Sequence, residues 1–79
     1  MKKPKSPSTI GQRIAARRKE LGISQRELSE RCGLGNTAIF YAESGGNLSA
    51  RSLMLIAIAL ETSMDFLATG KKNPESAIA

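Results

Sequence analysis

The sequence predicts an all-α domain, a compact arrangement of five short helices. Three observations predict it. Serine or threonine stands ahead of four stretches with helical spacing, glycine closes most of them, and no segment shows the two-residue alternation of a strand. No internal repeat is visible. At 79 residues the chain can build one small core and not two. Hydrophobic residues make up 41% but aromatics only 4%, with no tryptophan, so the core is expected to be aliphatic and to leave no large cofactor pocket.

Taken in order, the segment MKKPKSPS has two prolines and no apolar stretch, so residues 1–8 are read as a loose basic arm. Thr9 opens T-I-G-Q, an N-cap with Gln12 at the capping-box position. Ile10, Ile14, Arg17 and Leu21 follow at helical spacing before Gly22, which places the first helix over about 10–21. Ser24 opens S-Q-R-E, where the serine accepts a backbone N–H and Glu27 reaches back, so the second helix runs over 25–32. Gly33 is its left-handed cap, because a residue without Cβ avoids the steric cost of positive φ. The third helix spans 36–44, with Ile39 and Ala42 inward, and ends at Gly45-Gly46-Asn47. Ser49 caps the fourth, 50–61, and Ser63 caps a short fifth, 64–69, stopped by Gly70. The domain is therefore expected over 9–70 and a tail over 71–79.

Several functions are excluded or disfavoured by composition. The single cysteine, Cys32, has no partner for an internal disulfide, and no secretory pattern precedes it, so a reducing, cytoplasmic setting is expected. The longest apolar run, LMLIAIAL at 53–60, is far short of the roughly 18 residues that cross a bilayer. Without histidine, and with one cysteine and scattered carboxylates, neither a conventional zinc site nor a catalytic constellation is expected, and no cofactor with it. Twelve Lys and Arg against seven Asp and Glu give +5, with nine of the basic residues in the first 31 positions. That gradient favours a polyanionic partner.

The segment around CGLGNTA carries the more specific signal. From Gln25, apolar residues fall at Leu28, Cys32, Leu34, Ile39 and Ala42, the small Ser29 sits where crossed helices approach, and Gly33 stands at the turn. This is the pattern of a helix-turn-helix, in which one short helix rests across a DNA backbone and the next enters the major groove. Here the chain resembles the lambda-repressor-like (Cro/C1-type, XRE) DNA-binding domain. The resemblance runs over about residues 10–70, through R-K-E-L-G-I-S-Q, E-L-S, G-L-G, the Glu before Gly at 43–45, and S-x-x-x-L ahead of A-x-A-L.

That resemblance implies roles. Gln25 would bond a phosphate at the start of the second helix with Ser24 in support, while Asn36, Thr37 and Tyr41 would read bases from the third. Arg26 stands beside Gln25 and reaches a phosphate or remains in solvent. Arg18 is expected to pair with Glu43 instead of contacting DNA, and Arg13, Arg17 and Lys19 to be solvated or loosely steering. Four positions depart from the family pattern. Gly35 replaces the usual Ser or Thr, Ala42 is smaller than the usual Leu or Ile, and the 45–52 connection is one residue short. Phe40 stands where a polar residue is usual, and it either touches a thymine methyl or packs inward.

In the fourth helix Leu53, Ile56, Ala57 and Leu60 supply a buried face, yet Leu55 and Ile58 are apolar where the family is commonly polar. A helix apolar nearly all round wants a second partner. Leu55 and Ile58, with Met54 and Phe66, are therefore expected to form a twofold dimer interface; the competing reading folds Ile78 or the N-terminal arm over the patch. The reading that results is a sequence-specific DNA-binding regulator, a homodimer on a near-palindromic operator, of the phage-repressor or restriction-modification-controller type. With no sensor domain attached, concentration acting through dimerisation is the expected control variable, and no small-molecule effector is implied. Cys32, at an apolar position without a basic neighbour, reads as core. The alternatives are an antitoxin-like interaction module that also binds DNA and a nonspecific nucleoid protein.

Overall fold

The computed structural model of the chain describes residues 9–71. The expected arm over 1–8, the tail beyond Lys71 and Ile78 lie outside the described residues. Within them the chain forms α1 (Ile10–Glu20), α2 (Gln25–Cys32), α3 (Asn36–Glu43), α4 (Ala50–Ala59) and α5 (Met64–Thr69).

Four helices start at the expected side-chain caps. The hydroxyls of Thr9, Ser24, Ser49 and Ser63 accept the backbone N–H groups of Gln12, Glu27, Ser52 and Phe66 at 3.0–3.1 Å, each satisfying one of the donors that a helix start leaves open. Glu27 does not complete the box at Ser24. Its carboxylate takes Arg31 at 2.9 Å instead, because an opposite charge four residues on lies on the same exposed face. The helices end earlier than the spacing predicts: α1, α3 and α4 stop at Glu20, Glu43 and Ala59. Turn geometry decides this. Gly22 and Gly45 take positive φ, and in the α4–α5 connection Glu61 does so at 58°, while the N–H of Thr62 returns to the Ala57 carbonyl.

The core is aliphatic: Ile14, Ile23, Leu28, Ile39, Ile56, Leu60 and Leu67 are buried, with Cys32, Ala42 and Ala57 among them. Burial also raises the Cys32 thiol pKa above its usual value, as expected of a thiol used as packing. No helix among the described residues is long and apolar enough to cross a membrane.

Where α1 crosses α3 the backbones nearly touch. An added Cβ on Gly11 would stand 2.4 Å from the Ala42 carbonyl oxygen and 2.8 Å from that of Glu43. The buried Ala42 lies at this crossing, its carbonyl oxygen facing Gly11.

The arginines of α1 correct the sequence reading. Arg13 and Arg17 are not loosely steering surface charges. Arg13, only 7% exposed, donates from Nε to the Leu67 carbonyl at 2.7 Å and from an Nη to that of Ala68 at 2.9 Å. Arg17 donates to the Leu60 carbonyl at 2.9 Å and to the Glu61 carbonyl at 3.5 Å, with the Glu20 carboxylate beside it at 3.0 Å. The last carbonyls of a helix lack intrahelical donors and carry the negative end of its dipole, so guanidinium groups suit them well. Residues one turn apart on α1 thus hold down the ends of α5 and α4. The basic excess of the N-terminal half is correspondingly less available to a polyanion.

Candidate nucleic-acid interface

The turn between α2 and α3 is tight and closed by backbone bonds. Gly33 adopts φ 75°, ψ 21°, a conformation that costs a β-carbon-bearing residue roughly 1 kcal/mol or more. The N–H of Leu34 then bonds the Ser29 carbonyl at 3.0 Å and that of Gly33 the Glu30 carbonyl at 3.3 Å. The glycine sets an angle between two helices instead of providing slack. Gly35, the second glycine, is the N-cap of α3 and offers no side-chain bond.

Behind the turn a carboxylate gathers three elements. Glu43, at the end of α3, accepts from Arg18 Nε at 2.7 Å and from a second Arg18 nitrogen at 3.2 Å. Gln25 Nε2 donates to the same carboxylate at 2.8 Å, and Arg18 also reaches the Ile23 carbonyl at 3.0 Å. The structure thus brings Arg18 and Glu43 together. It adds Gln25, which the sequence reading had not linked to them. The forked guanidinium matches both carboxylate oxygens, and with one Gln25 N–H on Glu43 the amide keeps its second N–H and its carbonyl for another partner.

Asn36 and Thr37 lie exposed at the start of α3, Phe40 and Tyr41 one turn later. Ser29 Oγ is 2.7 Å from both Asn36 Oδ1 and the Arg26 carbonyl. A hydroxyl has one proton to give, so both contacts are satisfied at once when the Asn36 amide turns its NH2 towards Ser29. Phe40 does not pack inward; it is 60% exposed. Tyr41 rests against the loop after α3, where a Cβ on Gly46 would fall 2.2 Å from its ring. Gly46 does not have the positive φ of Gly45, so it serves there by lacking a side chain under that ring.

Ser24 caps α2 with its oxygen and keeps its proton for donation. Arg26 is well exposed, 3.5 Å from Glu30, a spacing worth little in water. Gln25, Arg26, Asn36, Thr37 and Phe40 line one open cleft between the start of α2 and the outer face of α3. On another surface Ile58 (67%) and Met54 (43%) are exposed on α4, whereas Leu55 and Phe66 are half-buried against the core. Leu55 therefore presents only part of its surface, less than Ile58 does.

A helix-turn-helix family model matches residues 14–67, most of the chain and all of this geometry. The chain belongs to the Cro/C1-type helix-turn-helix family. Solved structures agree. The P22 c2 repressor in complex with synthetic operator 9T is similar at 37% identity and a TM-score of 0.76, covering 81% of this chain and 98% of that one. SinR, a master regulator of biofilm formation, in complex with DNA gives 34% and 0.71, covering 75% and 97%. The restriction-modification controller C.AhdI from Aeromonas hydrophila gives 30% and 0.71, covering 73% and 89%. A search of curated protein sequences returned no significant match.

As a Cro/C1-type domain, the chain carries Phe40 and Tyr41 exposed on the outer face of α3. Sequence reasoning missed Gly11, Gly46, and the binding of Arg13 and Arg17 to helix ends. One signal was present: Arg17 falls in register with Ile10, Ile14 and Leu21, on the buried stripe, where a charge needs a partner.

Proposed function

We propose that this protein is a sequence-specific DNA-binding transcriptional regulator that acts as a homodimer on a near-palindromic operator. The observation that carries the reading is the concentration of Asn36, Thr37, Phe40 and Tyr41 on the exposed face of one helix, set by a tight turn, in a chain 37% identical to a repressor crystallised with a synthetic operator.

In this reading Ser24, Gln25 and the first N–H groups of α2 meet a phosphate, with Arg26 beside them, and α3 enters the major groove. Asn36 pairs with an adenine edge, and Thr37 and Tyr41 contact neighbouring bases. The test is selection of bound sequences from a random duplex library at near-physiological salt. A near-palindromic consensus with half-sites about 34–36 Å apart is expected; no enrichment would reject the reading and favour an interaction module.

Two substitutions separate the roles. Asn36→Ala is expected to relax preference at one base pair, at a cost of about 1–3 kcal/mol there, whereas Gln25→Ala weakens all duplexes evenly. Measured Kd values on the consensus and on single-base variants decide it; equal losses across every sequence for both changes would remove the division.

The dimer is proposed through the exposed part of α4. Met54→Lys with Ile58→Lys is expected to convert a sedimenting dimer to a folded monomer whose Tm no longer depends on protein concentration, because both side chains are exposed on the single chain. An unchanged mass would eliminate this face. Leu55 and Phe66 suit the experiment less well, since both also pack on the core.

A further inference from the structure

Phe40 is chemically out of place on an exposed helix face. The inward positions of α3 belong to Ile39 and Ala42, both buried, while Phe40 stays 60% exposed. It lies four residues after Asn36 and three after Thr37, hence on the same face of the helix. With those two, Gln25 and Arg26 it lines the cleft described above. Four of the five lining residues are polar. Phe40 supplies the apolar wall, supplemented by the methyl that Thr37 carries one turn away.

Building on the DNA-binding reading above, we propose that Phe40 is a specificity-determining residue that reads the 5-methyl group of a pyrimidine in the major groove. Base-pair edges there present hydrogen-bond donors and acceptors and a single apolar group, the C5 methyl of thymine. A phenyl ring pressed on donors or acceptors strips their water without replacing it. Against a methyl, both surfaces leave water with no bond lost. Asn36 and Phe40 then read adjacent features from successive turns, one by hydrogen bonding and one by shape. Thymine presents this methyl in unmodified DNA, and 5-methylcytosine presents it at the same ring position.

The test uses the full chain and the selected consensus. Each thymine in one half-site is replaced singly by deoxyuridine, which removes only the methyl, and Kd is measured for the wild type, Phe40→Ala and Asn36→Ala. Burial of one methyl-sized group corresponds to a loss of about fourfold. That loss is expected at one or two positions for the wild type and Asn36→Ala, and at none of those positions for Phe40→Ala. Changing the same T·A pair to C·G and then methylating the cytosine at C5 should restore a similar factor for the wild type and Asn36→Ala but not for Phe40→Ala. Phe40→Ala removes an exposed side chain, and an unchanged thermal melt verifies that the fold is intact. Wild-type indifference to uracil everywhere would overturn the proposal, as would methyl discrimination that survives in Phe40→Ala, which would pass the role to Thr37. A library that yields no consensus rejects the DNA reading and this proposal together; a consensus without a methyl effect rejects the proposal alone.

Discussion

Gly11→Ala is expected to destabilise the domain by about 3 kcal/mol, the upper part of the range for forcing an extra carbon into a packed interior. Helix propensity argues the opposite way, since alanine for glycine inside a helix favours folding by up to about 1 kcal/mol. The distances decide between them. The new Cβ would lie 2.4 and 2.8 Å from two carbonyl oxygens of α3, and those atoms are backbone, with no rotamer by which to withdraw. α1 must instead move away from α3, carrying Arg18 off Glu43. For a domain of this size the loss corresponds to a fall in Tm of roughly 12 °C or more. Gly35→Ala is the control: nothing stands within 4 Å of its Cβ and its φ is −75°, so the change meets no clash and should cost no more than about 1 kcal/mol, the penalty for alanine at an N-cap. Thermal melts of the two variants give the answer, and a Gly11→Ala protein as stable as the wild type would show that the helices do not approach so closely.

Glu43→Ala is expected to cost a similar amount, about 3 kcal/mol, and also to weaken DNA binding. Arg18 and Glu43 are 12% and 9% exposed at their side chains, and deleting one partner of a buried pair leaves the other charge without compensation, a loss of about 3–5 kcal/mol. The lower end applies because Arg18 keeps its bond to the Ile23 carbonyl. Combining Glu43→Ala with Arg18→Met should recover part of the loss, since no uncompensated charge then remains. Urea denaturation of the two single variants and the double variant measures this coupling. In conditions where Glu43→Ala is still folded, Kd should rise by a similar factor on every duplex, because Gln25 has lost the acceptor that holds it. A loss confined to one base pair would contradict that account, and additive stability losses would contradict the coupling.

The local grammar of the chain was legible at once. The four hydroxyl caps, the left-handed Gly33 and the order of the helices follow from bonds that span three or four residues, and such bonds leave their signature in adjacent letters. The exposure of Asn36, Thr37 and Tyr41 was legible for a related reason: once Ile39 and Ala42 turn inward, helical geometry turns these three out. Helix ends were less so. The stop at Ala59 depends on Glu61 entering a positive-φ conformation, for which glutamate gives no warning.

Local spacing was enough to read a five-helix domain with a tight turn and to pick out α3 as a helix with exposed polar side chains. The surroundings of Gly11, Arg13, Arg17, Gln25 and Phe40 emerge only when the helices pack. Gly11 has ordinary helical dihedrals, so its necessity lies in a carbonyl more than 30 residues away that reaches it only in the folded state. Arg13 and Arg17 find acceptors 43 to 55 residues along the chain, at helix ends that no spacing rule places beside them. The register of Arg17 says that it needs a partner but not which carbonyl supplies it. Phe40 is the converse case, an aromatic that composition would assign to a core and that packing leaves outside, because Ile39 and Ala42 already occupy the inward positions of α3.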